Sequence, residues 1–231
     1  LVSSSAASDV YKRQLDASFV ESFGPEFRLL SIGDEANPSP VFALNEAIEV
    51  SRGENVAIMI DGAHVLTPGV YHFASMAMRE HAPAIVATQQ FYVGPGQQGD
   101  AMDDGYDQTF EDALFEKIKW PRAGYRLFEI GSFVGDRDWF DGVWESNCLV
   151  VSRAQLKQIG GLDESFVEAG GSYSNLELYE RFGTSPDITV CSMIGEGSFH
   201  QLHGGTTTNQ IDPALRRSRV PVSYTHLRAH E

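Results

Sequence analysis

Hydrophobic positions in the first part of the chain follow two successive spacings. In residues 41–52 the apolar side chains recur every three or four positions, at Val41, Leu44, Ala47 and Ile48. This spacing predicts an amphipathic helix, which Gly53 ends. Residues 55–60 are apolar after Asn55 and rich in β-branched side chains, so they predict a fully buried strand of the kind found in parallel sheets.

The pattern continues as an alternation of helices and strands. Further helices are predicted at residues 69–80, 109–119, 152–159 and 174–182, and further strands at 84–88, 148–152 and 188–192. Pro68 favours the start of the first of these helices, because its missing N–H costs nothing in a first turn. The alternation predicts an α/β fold with a mostly parallel sheet and helices on both faces.

Residues 94–106 interrupt this alternation. They hold four glycines and show no apolar periodicity, which predicts a loop. A loop of this length is a candidate lid or binding loop. In sheets of the predicted kind, ligands bind beyond the carboxyl ends of the strands, which is where Asp61 follows the strand at 55–60.

Composition narrows the class of protein. The chain has 231 residues, 42% hydrophobic and 21% charged, and it contains no apolar run of the roughly 20 residues that span a bilayer. Its net charge of −15 disfavours a nucleic-acid partner. Cys148 and Cys191 lie in apolar stretches and are expected to be free core thiols. We expect one cytoplasmic domain without a transmembrane segment.

The two ends of the chain differ from its middle. Residues 1–8 are small and polar and lack the apolar segment that a secretory signal needs, and residues 7–14 and 222–231 resemble translated adapter sequence. Residues 1–14 are therefore expected to be a non-native or disordered tail, and residues 220–231 a non-native tail. The native domain is therefore expected to span residues 15–219.

The strongest local signal for chemistry is the tetrapeptide that begins at Asp61. It brings a carboxylate and the imidazole of His64 to the edge of the sheet, where together they could bind a divalent cation. A turn at Asp61 with a packed His64 explains the same residues equally well. His200 and His203 form a second candidate, and on a strand they would point to opposite sides.

Residues 160–181 combine glycines with carboxylates. Gly160 and Gly161 let the backbone approach a ligand closely, and the following carboxylates could act as a general base. The alternative is structural: Ser174 followed three residues later by Glu177 has the spacing of a capping box. The sequence contains no nucleophile elbow, phosphate-binding loop or dinucleotide fingerprint, so hydrolase, kinase and dehydrogenase functions lose their usual support.

Taken in order, these segments resemble the family-2 glycosyltransferases over residues 37–205. Residues 37–60, which include Asn45, look like the helix and strand that lead to the metal-binding carboxylates of that family, and residues 61–69 fall on its D-x-D-D-like loop. Residues 145–148 and 160–166 look like the acceptor-side strand and the loop after it. Residues 174–181 fall where the family carries an acidic pair and an Arg one turn later.

The resemblance implies an incomplete GT-A domain, since the family's first strand and the Asp-rich turn after it, which hold uracil and ribose in that family, have no counterpart before Asn37. This chain is therefore expected to bind nucleotide weakly or not at all. It implies inverting, metal-assisted transfer of a sugar from a nucleotide-diphosphate sugar to an acceptor hydroxyl, with Mn or Mg as cofactor. Asp61, His64 and His203 (or His200) would hold the metal. The base would be Glu177, with Asp163 and Glu164 behind it; the substrate would be bound by Asn147, Gly160, Gly161, Asn175 and Arg181.

Two alternatives stay open. Ala63 stands where the family's motif has its second Asp, and Asn175 stands where the family has its base, which favours a catalytically inactive binding or scaffolding domain. A nucleotidyltransferase shares a related sheet, but it would need a glycine-rich start bearing Arg and Lys, which this chain lacks.

Overall fold

The computed structural model describes residues 17–30, 37–59, 64–134, 148–171 and 173–203. The helices are α1 (Ala17–Glu21), α2 (Val41–Val50), α3 (Val70–Glu80), α4 (Gln98–Asp103), α5 (Gln108–Ile118), α6 (Arg153–Gln158) and α7 (Ser174–Gly183), with a 3-10 helix at Gly124–Glu129. The strands are β1 (Asn55–Met59), β2 (His64–Leu66), β3 (Ala84–Val93), β4 (Gly131–Phe133), β5 (Cys148–Ser152) and β6 (Thr189–His200). The fold is mixed α/β, and both predicted tails, 1–14 and 220–231, lie outside the described residues.

The strands form one sheet in the order β1-β5-β3-β6-β2, with β4 paired to the far end of β3. Among the described strands, β3 and β6 run parallel, and every other pairing is antiparallel. The prediction of a mostly parallel sheet is therefore wrong. A strand that is buried on both faces is apolar throughout, whichever way its neighbours run, so its sequence does not indicate direction.

Helices cover both faces of the sheet, as predicted. On what we call the first face, Ile85 and Ala87 of β3 pack against apolar side chains of α2, α6 and α7. On the second face, Ala84 and Val86 pack against one side of α3. This division follows from the two-residue period of a strand, which sends alternate side chains to opposite faces.

The two faces differ at the far end of β3. On the first face, Gln89 is buried and is followed by aromatic side chains, with Phe91 stacked on Phe199 at a centroid distance of 4.7 Å. The second face becomes polar, and side chains of β2, β3 and β6 there are buried: His64, Thr88, Gln90, Ser198 and His200. A buried polar surface is costly unless it is hydrogen-bonded, so this part of the second face marks the candidate site.

Two segments depart from their predicted structure. Residues 94–106 are not a loop throughout, because α4 forms within them and buries Gln98, Gly99 and Ala101. Strand β6 is much longer than predicted. Its pairing with β3 is irregular, because Thr88 pairs with Met193 whereas the next residue, Gln89, pairs with Gly197. In the part of the chain that the structure describes, no helix is long and apolar enough to cross a membrane.

Candidate functional site

Two histidines meet across the pairing of β2 with β6. His64 lies directly opposite His200 in the antiparallel register. Their rings meet edge to face with centroids 4.8 Å apart. His64 is 7% exposed and His200 is 5% exposed. The two-residue period that carries Leu66 to the second face carries His64 there as well.

A third histidine joins them just after β6. The Nε2 atoms of His203 and His200 are 3.2 Å apart, and their ring centroids are 4.9 Å apart. The expectation that these two side chains would point to opposite sides is wrong, because β6 ends at His200 and the chain then leaves the strand. We call His64, His200 and His203 the histidine cluster.

Gln98 of α4 holds the central histidine at two points. Its side-chain amide N–H donates to the His200 carbonyl at 2.9 Å, and its Oε1 lies 2.7 Å from His200 Nδ1. Gln98 itself is fully buried. Only the Gln98 nitrogen can donate to a carbonyl, so Oε1 is the atom that faces the ring and Nδ1 must carry the proton. In the neutral ring the lone pair of His200 is then on Nε2, which faces His203.

Glu111 of α5 supports the turn between the two later histidines. Its carboxylate accepts a hydrogen bond from the Leu202 N–H, at 3.0 Å to Oε2, and Tyr106 places its hydroxyl 3.0 Å from the same oxygen. Burial raises the pKa of the Glu111 carboxyl, against the opposing effects of these hydrogen bonds and of nearby His203. Burial likewise raises the pKa of the Tyr106 hydroxyl. The backbone of Leu202 is thereby fixed beside the cluster.

The spacing of two members of the cluster, His200 and His203, is suited to adjacent ligands of one divalent cation. A cation about 2.0–2.1 Å from each nitrogen would subtend an angle of about 100° between two Nε2 atoms that are 3.2 Å apart. That angle is close to the value for adjacent ligands in tetrahedral or octahedral sites. Imidazole nitrogens favour Mn, Co or Zn over Mg, which prefers oxygen.

A complete ligand set is not present in the described ranges. Within them, no group of three or more His, Cys, Asp or Glu side chains is placed so that it could hold a metal ion. Asp61, the predicted carboxylate ligand, lies outside the described residues, as does Asn147, a predicted substrate-binding residue. His64 and His203 were predicted as ligands from sequence, and the structure brings both of them to His200.

The predicted base lies on the other face of the sheet. Glu177 and Arg181 are on α7, which packs on the first face through Leu178 and Phe182. Arg181 donates to Glu177 Oε2 at 2.6 Å and to the Ile159 carbonyl at 2.9 Å. The capping-box alternative is wrong, because Tyr173 is the N-cap of α7 and no side chain caps that end. Glu177 as base stays a prediction.

The other predicted site residues lie in the turn after α6 and in the first turn of α7. Gly160 and Gly161 adopt positive φ angles of 86° and 75°, and a Cβ on Gly161 would lie 2.5 Å from Asn45 Oδ1. Asn45 exchanges two hydrogen bonds with the backbone of Leu162. Glu164 Oε1 accepts from the Asn45 amide, and Asp163 accepts from the Ser165 N–H. Asn175 is 8% exposed in the first turn of α7.

Another buried carboxylate was not identified from sequence. Glu196 lies in the irregular part of β6 and accepts hydrogen bonds from the Thr67 hydroxyl, the Gly69 N–H at 3.1 Å and the Tyr125 hydroxyl at 2.7 Å. The glycines on either side of Glu196 and the bend after Pro68 were the available signals. These contacts join β6 to the start of α3, close to the β2 strand that carries His64.

Comparison with models of known protein families found no match, and comparison with curated proteins found none either. The geometry of the histidine cluster and the pattern of the sequence are therefore the basis for assigning a function.

Proposed function

We propose that this chain is a metal-dependent glycosyltransferase domain that moves a sugar from a nucleotide-diphosphate sugar to an acceptor hydroxyl with inversion. The observation that carries the proposal is the histidine cluster. It joins one histidine that follows Asp61 by three residues and two histidines that are more than a hundred residues further along the chain. A carboxylate together with imidazoles is a donor set that a divalent cation can use.

Each group of residues has a proposed role. His64, His200 and His203, with Asp61, would hold the cation, and Mn fits this set better than Mg. The bound cation would stabilise the negative charge that develops on the diphosphate leaving group. The Glu177 carboxylate would accept the proton of the acceptor hydroxyl as that oxygen attacks the anomeric carbon. In the structure, Arg181 competes for the same Glu177 oxygen.

The remaining predicted residues have proposed functions in binding substrate or in supplying the base. The turn after α6 would bind substrate through its backbone at Gly160 and Gly161, and its carboxylates, Asp163 and Glu164, would be the alternatives to Glu177 as base. Asn147, Asn175 and Arg181 would complete the substrate contacts. The proposed partners are therefore a nucleotide-diphosphate sugar and a glycan or other hydroxyl acceptor.

A second function, a binding domain without catalysis, is favoured by two observations. Glu177 is engaged by Arg181 at 2.6 Å, and α7 packs on the opposite face of the sheet from the histidine cluster. Such a domain would bind the nucleotide sugar without transferring the sugar. Binding and turnover must therefore be measured separately.

The test is calorimetric titration of the full-length protein with UDP-, GDP- and dTDP-sugars, with and without Mn, followed by a turnover assay. We expect Mn-dependent binding of one nucleotide class and release of its diphosphate. Glu177→Gln should abolish turnover and preserve binding, whereas Glu180→Gln, an exposed residue on the same helix, should change neither. Absence of binding to every nucleotide sugar would refute the proposal, and binding without turnover in the unmodified chain would favour the second function.

A further inference from the structure

The side chain of Gln98 forms hydrogen bonds with both the ring and the backbone carbonyl of His200. It is fully buried, although it lies in a segment that is polar in sequence and contains several glycines. Burying a primary amide without satisfying its hydrogen bonds would cost free energy. Both ends of this amide are satisfied by the same residue, His200.

These two contacts determine which nitrogen of His200 carries the proton. A carbonyl accepts only from an N–H, so the amide nitrogen of Gln98 faces the His200 carbonyl and Oε1 faces Nδ1. Oε1 has no proton to donate, and the 2.7 Å contact is therefore a hydrogen bond from Nδ1–H. A neutral imidazole has one proton, so Nε2 retains its lone pair.

The lone pair of His200 faces the other late histidine. His200 Nε2 lies 3.2 Å from His203 Nε2, so the ring nitrogen that Gln98 does not contact is the one that faces the second imidazole. Histidines that bind metals commonly donate their second ring N–H to an oxygen acceptor, which fixes both the tautomer and the ring orientation. Gln98 provides such an acceptor before any metal is bound.

We propose that Gln98 is the positioning residue of the histidine cluster: it holds His200 as the Nδ1–H tautomer with Nε2 presented to a divalent cation. This inference rests on the metal-binding part of the proposed function. The other explanation is that Gln98 only satisfies a buried carbonyl. These explanations differ in what they predict for the His200 ring.

The first measurement needs no variant. Long-range proton–nitrogen correlation spectra of the metal-free chain report the tautomer of each histidine through its ring nitrogen shifts. We expect His200 to show a pyrrole-like Nδ1 and a pyridine-like Nε2. A protonated Nε2 on neutral His200 would overturn the inference, whatever the protein catalyses.

The second measurement uses Gln98→Met, which preserves length and removes both hydrogen bonds. We expect the His200 shifts to move towards the average of the two tautomers, and the affinity for Mn and Co, measured by calorimetry, to fall about 10- to 100-fold. Gln98→Glu keeps an oxygen acceptor for Nδ1 and loses the donor to the carbonyl. It should preserve the tautomer and most of the affinity, which a purely structural role of the amide would not allow.

The matched control is Gln97→Ala. Gln97 precedes α4 and accepts from the Asp100 N–H at 2.9 Å, so its removal weakens the same helix without touching His200. It should leave the tautomer and the affinity unchanged. An unchanged tautomer and affinity in Gln98→Met, or an equal loss in Gln97→Ala, would overturn the inference. If Gln98→Met does not fold, the spectrum of the unmodified chain and Gln98→Glu decide the outcome.

The outcomes also separate this inference from the proposed function. If the chain binds metal as expected but transfers no sugar, the glycosyltransferase proposal fails and the role of Gln98 stands. If nucleotide sugars bind and the sugar is transferred while His200 has its proton on Nε2, the glycosyltransferase proposal stands and the role of Gln98 fails. If no metal binds, the metal-binding premise fails, and the inference is overturned with it.

Discussion

At the scale of single residues, two adjacent glycines with the same backbone conformation have different surroundings. Gly160 and Gly161 both have φ angles in the left-handed region, at 86° and 75°. Among the described residues, apart from its two chain neighbours, no atom lies within 4 Å of a Cβ built on Gly160, whereas a Cβ on Gly161 would meet Asn45 Oδ1 at 2.5 Å. That oxygen is fixed by its hydrogen bond from the Leu162 N–H, so it cannot move away freely.

We therefore expect Gly160→Ala and Gly161→Ala to differ in stability. The first should lower the free energy of unfolding by about 1–2 kcal/mol, the cost of a left-handed Ala. The second should add the loss of the contacts between Asn45 and Leu162, for a total of about 2–4 kcal/mol. Urea denaturation of both variants measures the difference. Equal losses would mean that Asn45 relaxes without cost.

The two cysteines should differ in reactivity. Burial raises the pKa of the Cys148 thiol to about 12, while Cys191 is only partly buried and its pKa is raised to a lesser extent by the same cause. Because the thiolate is the nucleophile, a raised pKa slows reaction at any pH below it. At pH 8 a pKa of about 12 leaves roughly one Cys148 in ten thousand ionised.

With a disulfide reagent at pH 8, we expect the native chain to release one equivalent of thiolate from Cys191 and the second only after denaturation. Raising the pH towards 12 should accelerate labelling of Cys148. Cys191→Ser should abolish release of thiolate from the native chain and leave one equivalent, from Cys148, after denaturation. Fast native labelling in that variant would contradict the buried position of Cys148.

The sequence predicted some site residues and missed others for a physical reason. His64 and His203 stand out because few residue types bind metals, and each follows an apolar strand pattern. Gln98 and Glu111 lie among other polar residues, where nothing in the spacing distinguishes a buried amide or carboxylate from a solvated one. Their burial depends on contacts with residues 200–202, about a hundred positions away.

At the scale of elements, the irregularity in β6 connects the sheet to the start of α3. Helix α3 has Gly69 as its N-cap and no side-chain cap from its own sequence. Glu196 instead supplies a carboxylate to the Gly69 N–H from across the fold. A negative charge at this end of a helix is favourable because of the helix dipole. The same carboxylate binds the Thr67 hydroxyl, one residue after β2.

We expect Glu196→Gln to lower the free energy of unfolding by about 1–2 kcal/mol, through loss of the charge at the helix end and mismatch with one hydroxyl donor. Glu46→Gln changes the net charge equally at an exposed position of α2, so it should change stability by less than about 0.5 kcal/mol. Thermal or urea unfolding checks both. Similar losses in the two variants would indicate a general charge effect.

Five helices were predicted well in position and length, whereas two strands were predicted too short and most strand directions were predicted wrongly. Helices α2, α3, α5, α6 and α7 begin and end within two residues of their predicted bounds. β3 and β6 extend well beyond their apolar cores because each continues through polar residues, such as Gln89 and Gln90, that the apolar pattern does not include. Pairing partners, and hence strand direction, depend on long-range packing that a local pattern does not contain.

At the scale of the whole molecule, the net charge of −15 and the histidine cluster both predict that divalent cations stabilise the chain, but by different mechanisms. Self-repulsion among excess carboxylates is relieved by any salt, and it depends on ionic strength. A specific site responds to the concentration of one metal and to its ligand preference. Imidazole ligands favour Mn over Mg.

We expect the melting temperature to rise more in Mn than in Mg at equal concentration, and more in Mg than in KCl of equal ionic strength. Mn at about 100 times its dissociation constant should add about 2.7 kcal/mol, or several degrees for a chain of this length. In His200→Ala the difference between Mn and Mg should disappear, while the rise in KCl should stay, because the net charge is unchanged. Equal rises in Mn and Mg for the unmodified chain would show that its carboxylates, and not the histidine cluster, account for the stabilisation.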